Sequence, residues 1–308
     1  MKIHKVYGLF DISEEKIDIL LLIPCFNEEE NIEHILEHLR YVKQNSQKRN
    51  EFNLEILIIN DGSTDRTIQI LEKNNQDSFF TLINFNENKG YGYTLMSGFE
   101  YAKKMDFSWI ISFDMDGQHE PKCLYKFIEL ILKNPQEQII SGSRYKNSDL
   151  FWQKPWKDRF LVNTIITGIL NTIGLSITDA FCGLKAYKCN AINDLELKVD
   201  GYEIPLEIWI KSMKRGYSFV EIGVPVIYKD RDAILKNAKD NFLFKKGEER
   251  IEKYIHLIES LLNTPLKTNI NVFKSIFSNY FNSVNDINKY NFKKIQESIF
   301  TQIRELET

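Results

Sequence analysis

Four apolar runs, each ending in a cluster of polar residues, constrain this chain more than any other feature. They are Ile17–Ile23, Leu54–Asn60, Phe79–Asn84 and Ser108–Phe113. Runs of this kind suit strands covered on both faces. Helical patterns follow them: Ile32, Ile35, Leu36 and Leu39 on one face, then Thr67–Lys73, Tyr91–Lys104 and Cys123–Lys133. Asn27 with Glu30 reads as an N-cap and its capping-box partner ahead of the first helix. A fifth strand is expected at Gln138–Ser141 and another at Ser218–Tyr228. Strand alternating with helix predicts an α/β fold, a mainly parallel sheet with helices on both faces. Ligands of such sheets bind at the carboxyl ends of the strands. The polar clusters at those ends are Pro24–Glu28, Asp61, Asn84–Lys89 and Asp114–Gln118.

The 308 residues divide into an expected catalytic domain, 1–235, and a helical C-terminal extension, 236–308. The extension carries two apolar stripes, Ile251, Tyr254, Ile255, Ile258, Leu261, Leu262 and Phe273, Phe277, Phe281, which read as helices packed on a core. A formal net charge of −3 leaves no global basic field, so no nucleic-acid partner is expected. Cys25, Cys123, Cys182 and Cys189 lack zinc spacing and read as reduced thiols of a cytoplasmic protein. The N-terminal residues carry acids and do not read as a secretory signal, and no hydrophobic C-terminal anchor is read. The uncharged stretch Phe160–Thr178 is too polar for a spanning helix. It fits either a lipid-facing amphipathic helix, with peripheral contact at the inner membrane face, or a helix packed inside the protein.

The chemistry concentrates in Asp114-Met115-Asp116-Gly117-Gln118. Two acids one residue apart at a strand end can share one hard cation, Mg2+ or Mn2+, with the Gln118 amide oxygen as a third ligand. A cation there would stabilise the charge developing on a leaving diphosphate. Asp61 is placed to accept an N–H from a nucleotide base, and Pro24–Glu28 to form another wall of the same pocket. Lys89, with the backbone N–H groups of Asn88–Gly92 at a helix start, suits a diphosphate. Asp179 is the candidate general base for a hydroxyl acceptor; an anionic phosphate acceptor needs none.

Taken in order, Pro24-Cys-Phe-Asn-Glu-Glu-Glu-Asn31, Asn60-Asp-Gly-Ser-Thr-Asp-Arg-Thr67, Asn88-Lys-Gly-Tyr-Gly92, Phe113-Asp-Met-Asp-Gly-Gln-His-Glu-Pro121 and Gly142-Ser-Arg-Tyr145 resemble a family 2 glycosyltransferase of the GT-A fold. The resemblance spans about residues 17–230. Asp179-Ala-Phe-Cys-Gly183-Leu-Lys-Ala-Tyr187 and Gly201-Tyr202-Glu203 look most like its dolichyl- or polyprenyl-phosphate sugar transferase branch. The resemblance implies an inverting transferase with a nucleotide-sugar donor, UDP- or GDP-linked. It implies that Asp114, Asp116 and Gln118 hold the metal, that Pro24, Phe26, Glu28 and Asp61 line the nucleotide pocket with Asp114, and that Arg144 and Arg159 face phosphates on the acceptor side. The acceptor implied is a polyprenyl phosphate, with a glycan hydroxyl as the alternative. Asn60 stands where the family has an acid, and Lys185 where it has arginine. The Arg-x-x-Gly-Glu-Ser-Lys segment common in the branch is missing, with only Tyr228–Arg231 near its place. Asn60 and Lys185 are the support for another reading, a nucleotide-sugar-binding protein without turnover.

Overall fold

The computed structural model describes residues 16–46, 51–133, 136–150, 155–227, 240–284, 287–288 and 290–307. The expected boundary at 235/236 and the segment Tyr228–Arg231 lie outside them, as do the N-terminal fifteen residues.

A seven-stranded sheet forms the centre, in the order β3-β2-β1-β4-β6-β5-β7. The strands are β1 (Ile17–Cys25), β2 (Phe52–Asn60), β3 (Thr81–Asn84), β4 (Trp109–Ser112), β5 (Ile139–Ser143), β6 (Lys185–Lys188) and β7 (Phe219–Gly223). β1, β2, β3 and β4 run parallel, as do β5 and β7, while β6 lies antiparallel between β4 and β5. The expected mainly parallel α/β sheet is present. β6 went unread because it is four residues long and has lysine at each end, leaving no apolar run to detect. It matters, because it swings Gly183 and Asp179 against the ends of β4 and β5.

Apolar side chains fill both faces of the sheet. One face carries α1 (Ile32–Ser46), α2 (Thr67–Asn74) and α4 (Cys123–Lys133) over Ile19, Leu21, Ile23, Ile56 and Ile58. The other carries α3 (Tyr91–Lys104), α5 (Lys157–Thr172), α6 (Cys189–Asp194) and α7 (Ile204–Lys214). Alternate residues of β1 thus enter opposite cores, as the period of two requires. Three C-terminal helices, α8 (Asp240–Leu262), α9 (Ile270–Ser283) and α10 (Phe292–Glu307), pack on α5.

That packing decides between the two readings of Phe160–Thr178. Every residue from Phe160 to Leu170 is buried, so α5 is an internal helix and presents no face to lipid. Gly168 allows the closest approach, since a Cβ there would lie 2.8 Å from Ile303 and 3.1 Å from Phe300 of α10. The stripes Ile251, Ile255, Ile258 and Phe273, Phe277, Phe281 are buried in the same core, as their spacing predicted. Among the described residues, no helix is long and apolar enough to cross a membrane.

Asn27 does not cap α1. It adopts a left-handed conformation (φ 54°), and α1 begins at Ile32. Its N–H donates to Ser63 Oγ (2.9 Å) and its Oδ1 accepts the Thr64 N–H (2.8 Å). The short polar side chain tolerates this conformation and stitches the loop after β1 to the loop after β2.

Candidate active site

A cavity of about 600 Å3 opens at the carboxyl ends of β1, β2 and β4. One wall comes from the strand-end loops, with Pro24, Phe26, Glu28, Asp61, Asp114, Asp116 and Gln118. The other carries Arg144, which follows β5, Arg159 of α5, and Arg250 with Tyr254 of α8. The sheet thus brings together the predicted residues of four separate loops, in the place that parallel-sheet architecture assigns to ligands.

Asp114 is the best-supported side chain of the strand wall. Its Oδ1 accepts from the Tyr91 hydroxyl (2.9 Å) and its Oδ2 contacts His119 Nε2 (3.0 Å). Burial raises its pKa, but the hydrogen bond and charge of His119, with the Tyr91 hydroxyl, outweigh this and hold the carboxyl below its ordinary value. Behind it lies Gly183, where a Cβ would fall 2.0 Å from Asp114 Oδ2. Asp116 Oδ1 accepts the Gln118 N–H (2.9 Å), which folds the loop so that both side chains line the cavity.

Two acids and an amide oxygen are hard donors, and that set fits Mg2+ or Mn2+. Among the described residues, no three acidic, histidine or cysteine side chains form a metal cage. A cation held by Asp114, Asp116 and Gln118 would therefore keep positions open for substrate oxygens, as Mg2+ sites commonly do.

Three expectations need correction. Lys89 does not line the cavity: its Nζ pairs with Glu87 at the surface. The N-terminus of α3 is not open to a diphosphate either. The Asp200 carbonyl accepts the Gly92 N–H (2.7 Å) and the Tyr93 N–H (3.1 Å), while the Asp61 carboxylate accepts from Lys89 N (2.7 Å) and Gly90 N (3.0 Å). Asp61 still reaches the cavity wall, but each of its oxygens also holds the 89–90 turn.

Asp179, the candidate base, is fully buried behind Arg144 and is not a cavity-lining residue. The two form a bidentate pair, Arg144 Nε to Oδ2 at 2.7 Å and Nη2 to Oδ1 at 2.9 Å, and Oδ2 also accepts the Arg144 N–H (3.1 Å). Burial pushes the Asp179 pKa up, but the Arg144 charge and hydrogen bonds win and hold it below the ordinary value. A carboxylate occupied in this way is placed to orient an arginine, and it stands behind that arginine and not in the cavity lining.

The segment carrying Asp179 is itself pinned. Asn163 Oδ1 and Thr167 Oγ1 of α5 each accept the Ala180 N–H at 3.1 Å. Trp209 Nε1 donates to the Ala180 carbonyl (3.1 Å), Gln296 Nε2 of α10 donates to the Thr178 carbonyl (3.0 Å), and the Glu221 carboxylate accepts the Thr178 N–H.

The two unusual family positions have structural explanations. Asn60 is buried, donates to Asn84 Oδ1 (2.6 Å) and accepts from Ser63 Oγ, tying β2 to β3. An ionised aspartate could not donate that bond. Lys185 is buried, donates to the Cys182 carbonyl and stands 5.6 Å from the Trp209 ring centre. Neither residue lines the cavity, so neither supports a reading without turnover.

Sequence reasoning missed His119, Tyr91, Asn163, Arg250 and Tyr254. His119 was discoverable, lying five residues beyond Asp114 in the same motif. Arg250 sits four residues before Tyr254 of the apolar stripe, hence on the same helix face, but which face met the cavity depended on tertiary packing.

Against known proteins, the model of the family described as "Glycosyl transferase family 2" matches residues 21–196, more than half of the chain, and the chain belongs to that family. It is therefore a glycosyltransferase. A UDP-N-acetylglucosamine–dolichyl-phosphate N-acetylglucosaminyltransferase of Methanococcus voltae is 30% identical over 229 residues, covering 69% of this chain and 86% of that protein. A polyprenol monophosphomannose synthase of Mycolicibacterium smegmatis is 25% identical over 219 residues, covering 69% and 78% respectively. Among solved structures, glucosyl-3-phosphoglycerate synthase from Mycobacterium tuberculosis, in complex with Mn2+, UDP and glucosyl-3-phosphoglycerate, superposes with a TM-score of 0.56 at 15% identity, over 81% of each chain. That likeness shows a shared GT-A fold.

Proposed function

We propose that this glycosyltransferase is metal-dependent and inverting, and that it moves a sugar from a nucleoside diphosphate, UDP or GDP, to the phosphate of a polyprenyl lipid. The observation that carries this reading is a single cavity with carboxylates on the strand wall and three arginines on the helix wall. The relatives named for dolichyl-phosphate and polyprenol-phosphate transfer support it.

Asp114, Asp116 and Gln118 would hold the cation, which when bound neutralises charge on the leaving diphosphate. Phe26, Glu28 and Asp61 offer a partly apolar wall with acceptor oxygens, suited to a base and ribose. Arg144, oriented by Asp179, and Arg159 would bind the acceptor phosphate and turn one of its oxygens toward the anomeric carbon. That oxygen forms the new C–O bond on the face opposite the departing diphosphate. The bond from the anomeric carbon to the β-phosphate oxygen breaks, and its electron pair leaves with the nucleoside diphosphate. A phosphate oxygen is already anionic, so no proton has to be removed. The acids lining the cavity, Glu28, Asp61, Asp114 and Asp116, all belong to the strand wall, which suits an acceptor that needs no base. The lipid tail of such an acceptor places the reaction at a membrane surface.

Calorimetry with UDP- and GDP-sugars, with and without Mn2+, tests the donor half of this reading. One donor should bind in a metal-dependent way to wild type and lose that dependence in Asp116→Ala. Transfer of radiolabelled sugar from that donor into undecaprenyl phosphate tests the acceptor half. Transfer to soluble hydroxyl acceptors but never to the lipid phosphate would overturn it.

A further inference from the structure

Arg250 lies on α8, beyond residues 21–196 matched by the family model, yet its side chain faces the cavity. Its side chain is 17% exposed, and among the described residues its paired carboxylate, Asp158, is reached only at 3.5 Å, the far limit of a hydrogen bond. Burial lowers the Arg250 pKa, and the neighbouring Arg159 guanidinium lowers it further. Two guanidiniums converging on one cavity repel each other unless an anion comes between them.

A second observation is independent of these charges. Asn163, one turn beyond Arg159 on α5, is 3% exposed and lines the same cavity. Its Oδ1 holds the Ala180 N–H, but its Nδ2 is a buried donor without a partner among the described residues. A buried unpaired donor is costly, and a ligand oxygen in the cavity would remove that cost. The helix is also braced where Arg250 leaves it: Lys253 pairs with Glu203, and the Tyr254 ring packs on Phe181 at 4.9 Å.

We propose that Arg250 is an acceptor-binding residue, which closes on the acceptor phosphate from the side opposite Arg159 while Asn163 Nδ2 donates to a third oxygen. The C-terminal helices then complete the acceptor site, in addition to covering α5. Asp158 holds the guanidinium loosely in place until the anion arrives. This inference rests on the phosphate-acceptor reading above.

The test uses the full chain with undecaprenyl phosphate in detergent at saturating donor. Arg250→Ala should raise the acceptor KM about tenfold or more, the cost of a hydrogen bond to a charged group, and leave the donor Kd from calorimetry unchanged. Arg250→Lys keeps the charge and should recover part of the loss, while Asn163→Ala should raise the acceptor KM less. A purely structural role predicts something different: a lower Tm, kcat falling with the folded fraction, an unchanged acceptor KM and no rescue by lysine. That pattern, or wild-type acceptor KM in Arg250→Ala, overturns the inference. A wild-type enzyme that uses only hydroxyl acceptors sinks the phosphate reading and this inference together. Lipid-phosphate turnover by wild type with no change in Arg250→Ala sinks this inference alone.

Discussion

The two walls of the cavity are held in place by different kinds of contact. On the strand wall, loops are tied within themselves or to the loop of a neighbouring strand: Asp116 to the Gln118 N–H, Asp61 to the N–H groups of residues 89 and 90, and Asn27 to Ser63 and Thr64. Each acid projects from a strand end that the parallel register fixes. On the helix wall, the functional groups are guanidiniums on long flexible stems, held by carboxylates far away in sequence, Asp179 for Arg144 and Asp158 for Arg250. The first wall is specified by motifs; the second is specified by packing. Damage to the strand wall should therefore strike chemistry with little effect on stability, whereas damage to the helix wall should often strike both.

The sharpest break in that comparison comes from the acids proposed to hold the cation. Asp116→Ala should lower kcat at least about a hundredfold, the scale of removing one group that stabilises developing charge. Its carboxylate folds its own loop through the neighbouring Gln118 N–H, so Tm should move little. Turnover in Asp116→Ala close to wild type, with Mn2+ present, would contradict the role given to this acid. Gly183→Ala should come next. The added methyl group would displace the Asp114 carboxylate, which it would approach to 2.0 Å. A loss of kcat of about tenfold or more is expected, because small misplacements of a reacting group cost up to about a hundredfold. The crystal structure of the variant should show Asp114 moved off Tyr91 or His119.

Asp179→Asn tests the helix wall. Removing one partner of a buried pair strands the other charge, and roughly 3 kcal/mol of stability should be lost, read by urea denaturation near neutral pH. The acceptor KM should rise as Arg144 loses its bidentate partner, while donor binding stays. The pH dependence follows from the sign of the shift. The folded-state pKa of Asp179 is held below its unfolded value, so its stabilisation is full above about pH 4 and is lost as pH falls through the folded-state value. The stability difference between wild type and Asp179→Asn should therefore shrink as the pH is lowered below about 4. A difference that stays constant down to pH 2 would show that the pair is not what stabilises this region.

The same division explains what was legible in the sequence. The strands β1, β2 and β4 are apolar runs that stop at polar residues, so both the sheet and the strand wall could be read from residue pattern alone. Asp114, Asp116, Gln118, Glu28 and Phe26 all reach the cavity as expected. Arg144 and Arg159 do too, but the resemblance to the family supplied them and periodicity did not. Asp179 was legible as a polar residue near the site, but its role was not, since only the fold shows that Arg144 covers it. The C-terminal helices were readable as amphipathic, yet the direction that Arg250 faces is fixed by Gly247 lying against the Phe277 ring and by the Lys253–Glu203 pair. Those contacts join positions that no local pattern connects.

The smallest expected effect probes the strand wall at the loop before α3. Lys89 sits beside two glycines at a helix start, a pattern that suggests a phosphate contact, but only its backbone takes part in the site. Its N–H donates to Asp61, a bond that survives any side-chain change other than proline. Its ammonium pairs with Glu87 at an exposed position, and such solvent-screened pairs contribute little. Lys89→Ala should thus leave donor affinity and kcat within about twofold of wild type and shift Tm by no more than a degree or two. Asp61→Asn, in contrast, replaces one of the two oxygens that accept the Lys89 and Gly90 N–H groups with an NH2 donor and should raise the donor Kd by more than Lys89→Ala does. Calorimetry on the two variants side by side decides whether the loop works through its backbone. A large loss in Lys89→Ala would mean that the side chain swings from Glu87 into the cavity when the donor binds, and that charge at this loop, in addition to its shape, reads the diphosphate.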